Sequence, residues 1–225
     1  IQRIAKSKKK IVDIGIRLNP NTDAQTLSQI STGKKENKFG VGEKKILGLV
    51  NYIKSSNYIR LKCLSVHIGS QILSNQPYER MLKVVDRIIK KSHHKFEFID
   101  LGGGMGMPYE KKINKFNYKK YNGAINKFLR NHKSKIIFEP GRSIIGDAGI
   151  LISKVIYIKE TNSKNFIILD VGMNDLMRPA LYGAIHRIIP VIKNNQLSKK
   201  TFEFVGPICE STDKFLTTKK FQKLY

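Results

Sequence analysis

Five short segments carry residue types that chemistry needs. Gly102-Gly103-Gly104-Met105-Gly106 is a glycine run whose main-chain N–H groups can approach a phosphate closely. It does not fit G-x-G-x-x-G, because position 107 is Met and Pro108 follows, so phosphate loop and tight turn both stand. Glu139-Pro140-Gly141-Arg142 sets a carboxylate and a guanidinium where a charged ligand could use both. It equally has Pro and Gly placed for a plain β-turn. His67-Ile68-Gly69-Ser70-Gln71 closes an apolar stretch. There His67 is either a histidine held for structure or a site group, and Ser70 with its backbone could hold an oxyanion. Arg178 and Tyr182 stand four apart in a polar turn that could also be bare surface loop. Cys209-Glu210-Ser211 follows Gly206-Pro207. A lone cysteine is ordinarily a small buried hydrophobe, whereas one beside a carboxylate in a polar turn is open to a functional role. Cys63, mid-strand, reads as structural, and His93-His94 as a dipole-compatible helix end. No pair of His, Cys or acidic residues has metal-ligand spacing.

The elements that must position these groups alternate in period. Val12, Ile14, Ile16 and Leu18 alternate with polar residues and predict a strand that Asn19-Pro20 stops. Residues 43–58 carry Ile46, Leu47, Leu49, Val50 and Ile53 at helical spacing. Residues 61–68 predict the next strand. Pro77 then suits the first position of a helix whose apolar face is Met81, Leu82, Val84, Val85, Ile88 and Ile89. A third strand spans 97–101, a third helix 118–132, and a fourth strand 135–139. Repeated strand–helix units imply a parallel sheet with crossover helices. The first three polar motifs then fall at the carboxyl ends of strands, where such sheets bind ligands. After Arg142 the pattern changes. Residues 150–158, 166–170, 187–192 and 201–205 read as strands with few amphipathic helices between them, a separate all-β domain beginning near residue 147. An eight-stranded barrel needs about 250 residues. Four barrel strands therefore imply the second half of a barrel, so the chain is expected to be a fragment.

Composition narrows the classes. A chain of 225 residues with 40% hydrophobic residues can bury a core. No apolar run reaches the roughly 18 residues of a membrane helix. The net charge of +25 raises the nucleic-acid reading, but the lysines are scattered as pairs and triplets at 8–10, 34–35, 90–91, 111–112, 199–200 and 219–220. A footprint would cluster them on one element with aromatics between. Only nine of the 42 cationic residues are arginine, the better reader of bases. A lysine-rich solvated surface, with no nucleic acid and no membrane partner, is the expectation. Two cysteines make no disulfide framework and point to a reducing, cytoplasmic compartment.

Taken in order, H-I-G-S-Q, D-L-G-G-G, E-P-G-R, D-V-G-M-N-D-L-M-R-P-A-L-Y and G-P-I-C-E-S-T-D resemble the fold-type III pyridoxal-phosphate-dependent decarboxylases, in particular their diaminopimelate-decarboxylase branch. Arg17-Leu18-Asn19-Pro20 and the stretches 31–33 and 38–40 resemble the same family, so the likeness covers nearly the whole chain. The resemblance implies an alanine racemase-like fold: a TIM-type (β/α)8 barrel, here its second half at 1–146, followed by a β domain at 147–225. It implies pyridoxal 5'-phosphate as cofactor and a homodimer with active sites at the subunit interface. Carried over by motif, Ser70, Gly103 and Gly104 contact the cofactor phosphate, Glu139 faces the pyridine nitrogen, and His67 stacks on the ring. Pro140 and Gly141 complete the cofactor-binding corner. Arg142, Arg178 and Tyr182 hold the distal carboxylate of diaminopimelate, and Glu210 holds its distal ammonium. Cys209, from the neighbouring subunit, donates the proton that replaces CO2. The implied reaction turns meso-2,6-diaminopimelate into L-lysine and CO2, the last step of lysine biosynthesis. The sister readings are an ornithine, arginine or carboxynorspermidine-type decarboxylase, or a non-catalytic homologue. The family's Schiff-base lysine, in a Tyr-Ala-x-Lys setting, has no counterpart among the 33 lysines and is expected upstream of residue 1. A late active-site tyrosine is expected beyond residue 225, and the fragment alone is expected to be inactive.

Overall fold

A computed structural model of the chain describes residues 1–26, 30–109, 114–193, 196–198, 200–219 and 221–222. The lysine pairs at 111–112, 199–200 and 219–220 and the last three residues fall partly or wholly outside these.

After a short helix α1 (Gln2–Ser7), the alternating stretch becomes β1 (Val12–Asn19). A two-residue strand β2 (Val41–Gly42), too short to show a period in sequence, leads into α2 (Glu43–Lys54). Next come β3 (Ile59–Val66), α3 (Gln76–Ser92), β4 (Phe98–Asp100), α4 (Tyr118–Leu129) and β5 (Lys135–Ile137). The sheet order is β2-β1-β3-β4-β5, and every pairing is parallel. That arrangement places the carboxyl ends of β3, β4 and β5 side by side on one edge. β4, β5, α2 and α4 end short of their predicted limits, while β3, predicted at 61–68, is shifted to Ile59–Val66. Helix α2 stops at Lys54 because β3 already begins at Ile59.

Helix α3 shows why the local sequence works. Its apolar stripe buries Tyr78, Met81, Leu82, Val85 and Ile88, while Val84 and Ile89 are partly buried at the stripe's margins. Pro77 sits one position later than expected, still inside the first turn, where a missing N–H costs nothing. Glu79 near the start and Lys90 and Lys91 in the last turn complement the helix dipole, and His93 ends the helix in the left-handed conformation. The stripe packs with Ile46, Val50 and Ile53 of α2, Tyr121, Ile125 and Phe128 of α4, and Leu64, Val66, Ile99 and Leu101 from the sheet. Each fully buried aliphatic side chain contributes roughly 1.5–3 kcal/mol.

A one-turn helix α5 (Arg142–Ile145) follows β5. The chain divides into two compact units. The first is Ile1–Pro108 with Asn114–Ala148; the second runs from Gly149 onward and takes in Tyr109. The second unit contains β6 (Val155–Glu160), β7 (Lys164–Leu169), helix α6 (Arg178–Tyr182), β8 (Thr201–Val205) and β9 (Lys214–Thr218). Its sheet order is β6-β7-β8-β9, antiparallel except for the parallel β7–β8 pair. Ile167, Leu169, Phe202, Phe204, Phe215 and Phe221 form its core.

Three expectations need correction here. Residues 187–192 form no strand: Ile189, Val191 and Ile192 are 63–88% exposed and have no ladder partner among the described residues. Alternation makes a strand only where a neighbour takes its hydrogen bonds. The strand predicted from residue 150 begins at Val155 for the same reason. The polar turn at 177–183 folds as α6, with Pro179 in its first turn and Gly183 closing it in the left-handed conformation.

No helix among the described residues is long and apolar enough to cross a membrane. Ile99, wholly buried in β4, tests the packing. Ile99→Ala should lower the unfolding free energy by about 2–5 kcal/mol, read as a lower urea midpoint at unchanged slope.

Candidate active site

The carboxyl edge of the parallel sheet builds the site from three adjoining turns. After β3, residues 67–71 are anchored against residues 30–32. The His67 carbonyl accepts from Thr32 Oγ1 at 3.0 Å and from Arg17 Nη2 at 3.3 Å. Thr32 N–H donates to Ile68 O at 3.1 Å, and Ser70 N–H to Ile30 O at 3.0 Å. After β4, the Asp100 carboxylate accepts from Gly102 N–H at 2.9 Å and starts the glycine turn. After β5, Glu139 N–H donates to Gly102 O at 2.9 Å.

Two glycines are required by close approach. A methyl group on residue 103 would overlap the Glu139 carbonyl oxygen, and one on residue 104 would overlap that of Gly69. The β4 turn therefore lies with bare backbone against both neighbours. Gly104 also has φ +88°, which a side chain would strain. From below, the buried Tyr78 hydroxyl donates to Gly103 O at 2.9 Å, and burial pushes its phenol far above the ordinary range, so it stays a donor. Ile72 N–H donates to Gly104 O and Gly106 N–H to Ile72 O, both at 2.9 Å, tying the β3 and β4 turns together.

His67 sits where the three turns meet. Gly103 N–H donates to its Nδ1 at 3.2 Å, so that nitrogen presents a lone pair and the neutral ring carries its proton on Nε2. Burial, then the positive charge of Arg17, lowers its pKa, outweighing the Glu139 carboxylate. The 3.7 Å approach of Nδ1 to Glu139 Oε2 is thus a contact between a carboxylate and a neutral imidazole, not an ion pair. Glu139 lies on the open side of the edge, with 58% of its side chain exposed. Pro140 and Gly141 turn the chain into α5, whose first residue is Arg142. Arg142 Nη1 donates to Gln71 Oε1 at 3.1 Å.

His67, Gly103 and Glu139 are thus in direct contact, and Ser70, Gly104, Pro140, Gly141 and Arg142 occupy the same three turns. The other predicted residues belong to the second unit. Arg178 lies over the Tyr182 ring at 5.4 Å within α6, which packs on β9. Cys209 and Glu210 are exposed in the turn between β8 and β9, so Cys209 is not the buried hydrophobe a lone cysteine would ordinarily be. Asp213 organises that turn: its buried carboxylate accepts from Met173 N–H at 2.7 Å and Ile208 N–H at 2.8 Å. A side chain on Gly206 would overlap that carboxylate.

Residues 1–146 match the family model described as pyridoxal-dependent decarboxylase, pyridoxal binding domain. The chain belongs to this decarboxylase family. Its relatives include diaminopimelate decarboxylase of Helicobacter pylori, 42% identical over 96% of this chain and 54% of that protein. Diaminopimelate decarboxylase of Aquifex aeolicus is 38% identical over 95% of this chain and 51% of that protein. Among solved structures, Helicobacter pylori diaminopimelate decarboxylase complexed with L-lysine matches with a TM-score of 0.92 at 39% identity, over 99% of this chain and 56% of that one. The chain spans about half the length of the curated relatives it matches. The fold-type III architecture expected from the motifs, a parallel α/β part followed by a β domain, is borne out in this chain.

Three residues that organise these turns escaped the sequence reading: Gln71, Tyr78 and Asp213. Gln71 and Asp213 stand inside motifs already quoted, and that was their signal. Tyr78 precedes the apolar face read from Met81 onward, and nothing in its local sequence marked it. The protonation state of His67 is directly measurable. Its NMR titration should have a midpoint below the ordinary histidine value of about 6.5. A midpoint above that value would mean a charged pair with Glu139.

Proposed function

We propose that this chain supplies a large part of the active site of a pyridoxal-phosphate-dependent diaminopimelate decarboxylase, which converts meso-2,6-diaminopimelate to L-lysine and CO2 as the last step of lysine biosynthesis. The observation that carries the reading is the contact of His67, Gly103 and Glu139 at one sheet edge. The relatives described above narrow the substrate.

The residues present fit the cofactor. A phosphate needs main-chain N–H groups that no side chain screens, and the Gly102-Gly103-Gly104 turn, packed against the Glu139 and Gly69 carbonyls, carries no side chain. A pyridinium nitrogen needs a carboxylate, and Glu139 is placed beside a flat, uncharged imidazole. Ser70, Gly103 and Gly104 would hold the phosphate, His67 would cover the ring, and the Glu139-Pro140-Gly141-Arg142 corner would close around its far side. When bound, pyridoxal phosphate supplies an electron-withdrawing ring that accepts the electron pair left by a departing α-carboxylate.

The chain's own groups do the rest. Glu139 would hold a proton on the pyridine nitrogen, the state in which such a ring is electron-poor. His67, being neutral, would pack against that ring without opposing its positive charge. Arg142 and Arg178 hold the substrate's distal carboxylate, a planar anion matched to a guanidinium fork. The Nε of Arg178 is buried with no hydrogen-bond partner among the described residues, a donor still unsatisfied. Tyr182 adds a hydroxyl, and Glu210 takes the distal ammonium. Cys209 Sγ delivers a proton to the carbon that lost CO2. We assign residues 1–146 to the cofactor-binding part and 147–225 to the β domain. We place the active site at the interface of a homodimer, with Cys209 and Glu210 reaching the neighbouring subunit's cofactor. The two cysteines are both free thiols, in keeping with a reducing cytoplasm.

CO2 release from a panel of amino acids by the full-length protein tests the assignment. Diaminopimelate should be the preferred substrate; release from ornithine but not diaminopimelate would overturn it. Cys209→Ala should lower kcat by roughly 10²–10⁴-fold, the usual contribution of a positioned proton donor, with a much smaller change in KM.

A further inference from the structure

Gln71 ends the histidine motif, yet none of the roles above uses it. Its backbone is left-handed, with φ +61°, a conformation disfavoured for a residue with a side chain and kept only where the surroundings demand it. The demand comes from its amide. Oε1 accepts from Arg142 Nη1 at 3.1 Å and from Met107 N–H at 3.3 Å, while Nε2 donates to Met107 O at 2.5 Å. A guanidinium and a peptide N–H only donate, and a carbonyl only accepts, so the amide can face its partners one way. The chain also makes room for it. A methyl group on Gly106 would lie 3.1 Å from Gln71 Oε1 and 2.9 Å from its carbonyl carbon. One side chain thus links the turns after β3, β4 and β5.

The geometry points to Gln71 as the positioning residue that aims the Arg142 guanidinium, and so as a determinant of selectivity for substrates with a second carboxylate. This rests on the role proposed for Arg142. A neutral acceptor fixes the plane of the guanidinium while leaving its positive charge to the ligand. Glutamate would hold Arg142 too, but would neutralise it and set an anion against the Met107 carbonyl. Methionine would fill the space and bond to neither.

The test uses the full-length holoenzyme and its Q71M, Q71E, R142M and Q71M/R142M variants. The readouts are kcat and KM for diaminopimelate, cofactor content by absorbance, and thermal melting. Q71M should raise KM about tenfold, the loss expected for a hydrogen bond to a charged group, with kcat changed by less than about threefold and cofactor content unchanged. Q71E should raise KM further, because its carboxylate competes with the substrate for the guanidinium. A purely structural role would not rank the two that way. The double variant should be no worse than R142M alone, since Gln71 acts through Arg142. Q71M and Q71E within about twofold of wild type in KM, or fully additive effects in the double variant, would overturn the proposal. R142M with unchanged KM would overturn Arg142's role as well. R142M with raised KM beside wild-type behaviour of both Gln71 variants would overturn the Gln71 role alone.

Discussion

Any side chain on residue 103 would collide with the Glu139 carbonyl oxygen, so only glycine lets the turn after β4 settle between the turns after β3 and β5. The parallel sheet makes this necessary. Neighbouring strands lie roughly 4.8 Å apart, and turns leaving three of them at the same edge compete for one narrow space. Backbone without side chains fills it. The Gly103 N–H then reaches His67 Nδ1, and the Gly103 carbonyl takes the Tyr78 hydroxyl. The helices matter to the site chiefly through this: the apolar stripe of α3 that seats Tyr78 in the core also holds the glycine turn from behind.

A consistent electrostatic plan follows. Beside the Asp100 and Arg17 charges that hold the turns themselves, the three turns present the Glu139 carboxylate and the Arg142 guanidinium, and each is contacted by a neutral group. His67 is kept uncharged by burial, by Arg17 and by the N–H that occupies its lone pair. Gln71 is neutral by nature. Had either partner been ionised, the charge it touches would have been spent within the protein. With neutral partners, one negative and one positive group remain for a ligand of complementary charge. The neutral state of His67 has a consequence for stability. Its lowered pKa means the unfolded chain binds a proton more readily, so acid weakens this corner as pH falls through about 6.5.

Much of this was readable in the sequence where periodicity was long and its cause local. Strands β1, β3, β7 and β8 and helices α2, α3 and α4 all stand where their apolar spacing put them. Helices α5 and α6 have four and five residues, too short for a period to register, and β2 has two. The apolar residues 187–192 misled because alternation says nothing about whether a neighbouring strand is present. Within the site, residue types at strand ends were informative, since the parallel sheet brings such ends together whatever lies between them. Gln71 was not, because its role depends on partners 36 and 71 residues away. Asp213 was hidden likewise: its partner Met173 lies 40 residues upstream.

The central claim is that the turns after β3, β4 and β5 form one cradle for one phosphorylated ring. The most direct measurement is a crystal structure of the full-length protein with pyridoxal phosphate bound. The account predicts the phosphate against the Gly103 and Gly104 amides, the pyridine nitrogen within hydrogen-bond distance of the Glu139 carboxylate, and the ring covered by His67. A ring seated elsewhere, or one whose nitrogen faces away from Glu139, would contradict it.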